Sequence, residues 1–149
     1  MRNILGLSIV FILLNACESE NKQFTKLSSS FTNIYFKNKL YETNSRNYFT
    51  NPYMYLGAGV AAGDFNNDGL EDLFFLGNMV PNKLYINKGD LKFNDISESA
   101  GIEGDDRWYS GVTLIDINND GFLDIYCSVG GEDGPNNNVL YINNKDNTF

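Results

Sequence analysis

The 149-residue chain contains no histidine. Catalysis by Ser-His-Asp or Cys-His pairs is therefore excluded, as is zinc held by imidazole. Cysteine is nearly absent, with Cys17 and Cys127 alone, and a lipid on the first would leave the second without a disulfide partner. Basic residues are scarce: 11 Lys and Arg face 19 Asp and Glu, a net charge of −8. An acidic chain repels phosphate backbones, so nucleic acid is excluded as a partner. Apart from Arg2 the arginines are Arg46 and Arg107, which form no cationic cluster in the sequence for phosphate or sulfate. Long apolar runs are also missing. Ile4–Leu14 is the longest at 11 residues, whereas a membrane-spanning helix needs about 20.

Several residue types are abundant instead. Apolar residues make up 42% and aromatics 14%, which argues against a disordered chain and toward strands. Asparagine occurs 22 times. It favours turns and oxygen ligation and disfavours helix interiors, so a helical bundle is not expected.

The N-terminus has the form of a targeting segment. Arg2 precedes the run Ile4–Leu14, which ends in Leu14-Asn15-Ala16-Cys17. This ending resembles the lipobox of bacterial lipoproteins. The resemblance implies cleavage after residue 16, a diacylglycerol on Cys17, and a mature charge of −9 once Arg2 is gone. Glu18-Ser19-Glu20 resembles a signal for the outer surface. The expected location is the cell envelope, as an outer-membrane or cell-surface lipoprotein held to the membrane by its lipid anchor. Residues 17–30 read as a polar tether.

The body of the chain repeats. GVAAGDFNNDGLED at 59–72 matches GVTLIDINNDGFLD at 111–124, an offset of 52. Leu84-Tyr85-Ile86-Asn87 matches Leu140-Tyr141-Ile142-Asn143 at an offset of 56, and Phe93 matches Phe149. The four extra residues fit a longer loop near Gly130–Pro135. Strands are predicted at about 58–63, 72–77, 82–87 and 91–95, then 110–115, 123–129 and 137–143, with another starting near 147. A helical turn is expected within Asp95–Gly101, capped by Ser97 or Asp95. Phe31–Phe36 reads as a further strand outside the repeats. The fold class is all-β, with about two four-stranded blades of an incomplete β-propeller. The expected divisions are 1–16 signal, 17–30 tether, 31–56 lead-in strand region, 57–104 first blade, and 105–149 second blade, truncated.

Each repeat carries the pattern DxNxDGxxD. Asp64, Asn66, Asp68 and Asp72 fill positions 1, 3, 5 and 9 of the first loop, and Asp116, Asn118, Asp120 and Asp124 those of the second. Backbone carbonyls of Leu70 and Phe122 are available at position 7, as in other oxygen-ligand loops. Glycine at position 6, Gly69 or Gly121, permits a sharp turn. Three carboxylates in one short loop repel unless a cation lies between them. A hard ion such as Ca²⁺ takes 6–8 oxygens, so two structural Ca²⁺ sites are expected. An EF-hand would need Glu at position 12, where Phe75 and Cys127 stand instead. The flanks Leu73-Phe74-Phe75-Leu76 and Ile125–Val129 read as strand, so each loop joins two strands. Cys127 reads as a small buried apolar residue. Trp108 and Tyr109 are expected to pack between blades, and Asp105-Asp106 and Glu132-Asp133 to be solvated loop pairs.

The segment Gly57–Gly69 resembles an FG-GAP/VCBS repeat, the blade of integrin-α-like propellers. Tyr53-Met54-Tyr55, the first loop, Asn82–Asn87, Phe93–Ile96, Ala100-Gly101, Trp108 and Gly111-Val112 together resemble the N-terminal part of the CRTAC1/ASPIC-UnbV group. Leu56 and Ala58 depart from the Asn and Gly usual there. The resemblance implies calcium in the loop between the first two strands of each blade. It also implies further propeller blades missing from this chain, since two do not close a ring. The reading is a non-enzymatic binding or scaffolding module with an unknown protein or glycan ligand. The alternative is the front of a polysaccharide-active enzyme whose catalytic residues lie beyond residue 149.

Overall fold

The computed structural model describes residues 23–131 and 134–149. The proposed signal segment, Cys17 and the pair Glu132-Asp133 lie outside the described residues. Nearly all regular structure is β, in two antiparallel sheets. The first holds β1 (Gly59–Gly63), β2 (Asp72–Leu76), β3 (Lys83–Asn87) and β4 (Phe93–Asp95) in sequential order. The second holds β5 (Tyr109–Ile115), β6 (Asp124–Val129) and β7 (Val139–Tyr141). The fold is thus the expected one, two blades of a partial propeller. Register follows the repeat: Gly63 pairs with Asp72, and Ile115 with Asp124. Each acidic loop therefore closes a β-hairpin.

The period-2 alternation of these strands decides how the blades stack. Phe74, Leu76, Leu84 and Ile86 turn one face of the first sheet toward the second, where Tyr109, Ile125 and Cys127 complete a shared core. Small residues bring the sheets together. A β-carbon on Gly59 would lie 3.1 Å from Val112 Cγ1, and one on Gly63 2.5 Å from Leu114 Cδ1. Tyr109 therefore packs between blades as expected. Trp108 is also buried, with the Arg46 guanidinium 5.5 Å from its ring centroid. Burial pushes the Cys127 thiol up to about 12, in keeping with an inert apolar role. Among the described residues, no helix is long and apolar enough to cross a membrane.

Two expected strands do not form. Phe31 and Thr32 belong to a single helical turn, α1 (Ser29–Thr32), whose Ser28 Oγ accepts the Phe31 N–H and whose end at Asn33 is left-handed. The alternation that suggested a strand is present nonetheless. Ile34, Phe36, Asn38 and Leu40 are half-buried, while Tyr35, Lys37 and Lys39 are exposed. This segment lies on the face of the first sheet, not along its edge, so it alternates without joining the ladder. Phe36 stacks on Phe75 at 5.0 Å, and Asn38 Oδ1 accepts the Asn78 N–H.

The strand expected near 147 is also absent among the described residues. In the first sheet Phe93, Asn94 and Asp95 pair with Asn87, Ile86 and Tyr85. The residues present make a turn instead, and the Phe149 N–H reaches the Ala100 carbonyl at 3.0 Å. The helical turn appears as α2 (Ser97–Ala100), but neither expected residue caps it. The N-cap is Ile96, without a side-chain cap bond, because Ser97 already lies inside the turn. Asp95 Oδ1 accepts the Ser97 N–H from one residue before the cap.

One prediction concerns the turn after β2. A β-carbon on Gly77 would stand 2.1 Å from the Val80 carbonyl oxygen, a backbone atom that cannot swing aside. Gly77→Ala is expected to cost about 2 kcal/mol or more and lower Tm by several degrees in a thermal melt. Gly111→Ala, with no atom within 4 Å of its β-carbon, should leave Tm nearly unchanged.

Candidate metal-binding loops

Position 1 organises each loop. Asp64 Oδ1 accepts the Asp68 N–H at 3.1 Å, and its Oδ2 accepts the Gly69 N–H at 2.7 Å. Asp116 repeats this with Asp120 at 2.9 Å and Gly121 at 2.9 Å. Positions 3 and 5 add matching bonds. Asn66 Oδ1 accepts from the Asp68 backbone, and Asp68 Oδ1 from Leu70 N–H. Asn118 and Asp120 do the same, the latter with Phe122 N–H. The turns need left-handed residues, supplied by Gly69 and Gly121 and by the asparagines at position 4, Asn67 at φ 58° and Asn119 at φ 56°.

Position 9 stands apart. Asp72 and Asp124 are fully buried at the first residue of β2 and β6. Asp72 Oδ2 accepts the Phe65 N–H at 3.0 Å, and Oδ1 accepts the Asn87 N–H at 2.8 Å. Asp124 binds Ile117 and Asn143 in the same way, at 3.0 and 2.8 Å. Each buried carboxylate thus ties the loop entrance to the end of the third strand. Positions 1, 3 and 5 bond to the backbone of the turn, whereas position 9 bonds to the loop entrance and the end of the third strand. Among the described residues, no three acidic side chains are grouped to hold a metal ion by themselves. Leu70 and Phe122, whose carbonyls were assigned to position 7, engage the loops here through their N–H groups on Asp68 and Asp120.

The donor set is nevertheless all oxygen, and it is charged. Burial pushes the Asp72 carboxyl up, its bonds from Asn87 and Phe65 oppose the rise, and Asp68 and Asp64 add to it by repulsion. The carboxylate and amide oxygens of each turn are hard donors in one short loop, so the residues fit a hard divalent ion. Asp120 behaves differently. Desolvation raises its carboxyl, but the Phe122 N–H, Lys145 and Asn118 outweigh this and leave it lowered. Lys145 Nζ stands 3.2 Å from Asp120 Oδ2.

Three roles escape the ligand pattern. Asn67 Nδ2 donates to the Gly121 carbonyl at 3.0 Å, joining one loop to the other. Asn143 Nδ2 bridges the Phe65 carbonyl at 2.8 Å and the Leu123 carbonyl at 3.2 Å, while Asn87 reaches only its own blade, at Glu71. Lys145 is the third. The recurrence of Asn at loop position 4 and after Leu-Tyr-Ile was the available signal for the first two; nothing in the repeat pattern signalled Lys145.

Residues 64–127, from the first ligand position to the middle of β6, match the FG-GAP-like repeat family. Cartilage acidic protein 1 of Xenopus tropicalis is 38% identical over 87 residues, covering 58% of this chain and 13% of that protein. Its counterparts from Homo sapiens and Mus musculus are 37% and 35% identical over 79 residues, covering 53% of this chain and 12% of theirs. The chain thus spans a small part of the length of these curated relatives. No solved structure matches it significantly. Residues 64–127 are thus similar to the FG-GAP-like repeat family, and the chain is similar to a stretch of cartilage acidic protein 1.

Proposed function

We propose that this chain is part of a calcium-stabilised propeller serving as a binding or scaffolding module on a lipid-anchored envelope protein. The observation that carries the reading is the identical bonding of two loops 52 residues apart, each with oxygen donors turned into one tight hairpin. Calcium would be held by Asp64, Asn66, Asp68 and Asp72 with the Leu70 carbonyl, and by Asp116, Asn118, Asp120 and Asp124 with the Phe122 carbonyl. Asp72 and Asp124 would also brace each loop through their buried backbone bonds. The ion would pin the hairpin between the first two strands of each blade. The lipid anchor rests on the sequence Leu14-Asn15-Ala16-Cys17 alone.

Further blades complete the reading. Phe74, Leu84 and Ile86 are at most 2% exposed beneath the second sheet, whereas their repeat counterparts Tyr126, Leu140 and Ile142 are 36–39% exposed. With Ile115 they form an apolar face equivalent to the one already used between the two blades. Asn119 there would offer the next loop the bond that Asn67 gives Gly121. The ligand of the assembled module, protein or glycan, would bind a surface that these blades help to build.

The calcium reading is tested by thermal melts in EDTA, Mg²⁺ and Ca²⁺ with isothermal titration. If Kd is about 0.1 mM, as in extracellular modules, 1 mM Ca²⁺ adds about 1.4 kcal/mol per site. Tm should rise by several degrees, with Mg²⁺ much less effective. Identical melts in EDTA and Ca²⁺ with no titration heat would reduce the loops to plain turns. A second comparison separates the two kinds of aspartate. Asp68→Asn should change the EDTA melt little and blunt the calcium response. Asp72→Asn should lose about 1–3 kcal/mol already in EDTA, because one of two buried N–H groups loses its acceptor. Labelled fatty acid on the wild-type chain, lost in Cys17→Ser, tests the anchor; unlabelled wild-type protein would refute it.

A further inference from the structure

The two loops share spacing and backbone bonds but differ in one neighbour. The turn after β3 reads Asn87-Lys88-Gly89, and the matching turn after β7 reads Asn143-Asn144-Lys145. Both close alike, with Asn87 Oδ1 accepting the Gly89 N–H and Asn143 Oδ1 the Lys145 N–H, each at 2.9 Å. Both third residues are left-handed, Gly89 at φ 85° and Lys145 at φ 69°. Glycine takes that conformation freely; lysine takes it with strain, which persists only where the surroundings hold it. From this position the lysine side chain reaches the second loop. Its Nζ is 3.2 Å from Asp120 Oδ2 and 5.6 Å from the Phe122 ring centroid. Gly89 can make no such contact, and Asp68, the counterpart of Asp120, has no ion pair among the described residues. Asp68 keeps only the neutral partners Asn66 and Leu70.

We infer that Lys145 is a built-in cation for the second loop, which makes the two loops unequal toward divalent ions. The inference rests on the calcium reading and deepens it. The first loop carries about three uncompensated charges and is the stronger site. In the second, a divalent ion must move an ammonium off a ligand oxygen and remain near it against their repulsion. The ammonium is half exposed, so the handicap is moderate, about three- to tenfold in Kd. In exchange, the second loop holds its shape better when calcium is scarce.

The test is isothermal titration of the full chain with Ca²⁺, with Asp64→Ala and Asp116→Ala assigning each step to a loop. Wild type should titrate in two steps, the weaker at the second loop. Lys145→Asn removes the charge while keeping a residue that tolerates left-handed backbone, and should bring the two steps together. Gly89→Lys, whose β-carbon meets no atom within 4 Å, should weaken the first loop. Melting gives an independent readout with a sign change. Lys145→Asn should melt lower than wild type in EDTA, yet gain more from 1 mM Ca²⁺. Two equal steps in wild type, unmoved by Lys145→Asn, would overturn the inference and leave calcium binding standing. No heat from either protein would overturn the calcium reading itself, and the inference with it.

Discussion

A carboxylate buried at the first residue of the second strand is the interaction on which each blade depends. Asp72 accepts one N–H from the loop entrance and one from the end of β3, and Asp124 does the same in its own sheet. Without it, two backbone donors would be left unpaired in a dry interior, at about 1–3 kcal/mol for each. With it, hairpin and third strand are locked together, and the acidic turn is held at a fixed place on the blade. The cost is a buried negative charge close to two others. Satisfying the backbone therefore carries a desolvation cost, which in the first blade Asp68 and Asp64 increase.

The second constraint is the distance between sheets. Gly59 and Gly63 lack side chains where Val112, Leu114 and Leu123 come closest, so β1 and β5 can approach while larger residues fill the core farther out. Polar bonds then fix how the blades are set against each other. Asn67 reaches the Gly121 carbonyl and Asn143 the Phe65 carbonyl, so each loop is touched by a residue from the other blade. The loops are thus parts of the blade interface as well as turns. The lead-in segment treats the opposite face of the first sheet differently. Phe36 lies over Phe75 there, where in a stacked array another sheet would pack.

Much of this was legible in the sequence because a repeat tests itself. The period, the turn residues and the strand alternation agree in two copies, so β1 to β3 and β5 to β7 fall close to their predicted places. The absence of Glu at position 12, together with apolar flanks, correctly placed each acidic loop between strands. The segment 31–36 misled because alternation reports that one side of a chain faces the protein, not that its backbone has a partner strand. Among the described residues the second sheet shows no fourth strand; the Thr148 carbonyl closes a turn on Asn144 and the Phe149 N–H goes to the Ala100 carbonyl.

Sequence by itself determined the all-β class, the two units, the oxygen-rich loops and the buried character of Cys127, since these follow from local pattern and residue chemistry. Tertiary structure alone decided which backbone groups each carboxylate bonds. Spacing does not show that position 9 also braces the loop entrance against the third strand. That bond depends on where the third strand ends and offers its N–H. The same holds for Asn67, Asn143 and Lys145, whose partners are 54, 78 and 25 residues away in the chain. The repeat marks Asn67 and Asn143 as recurring but does not name their partners, and only the tertiary fold brings these pairs within hydrogen-bond reach.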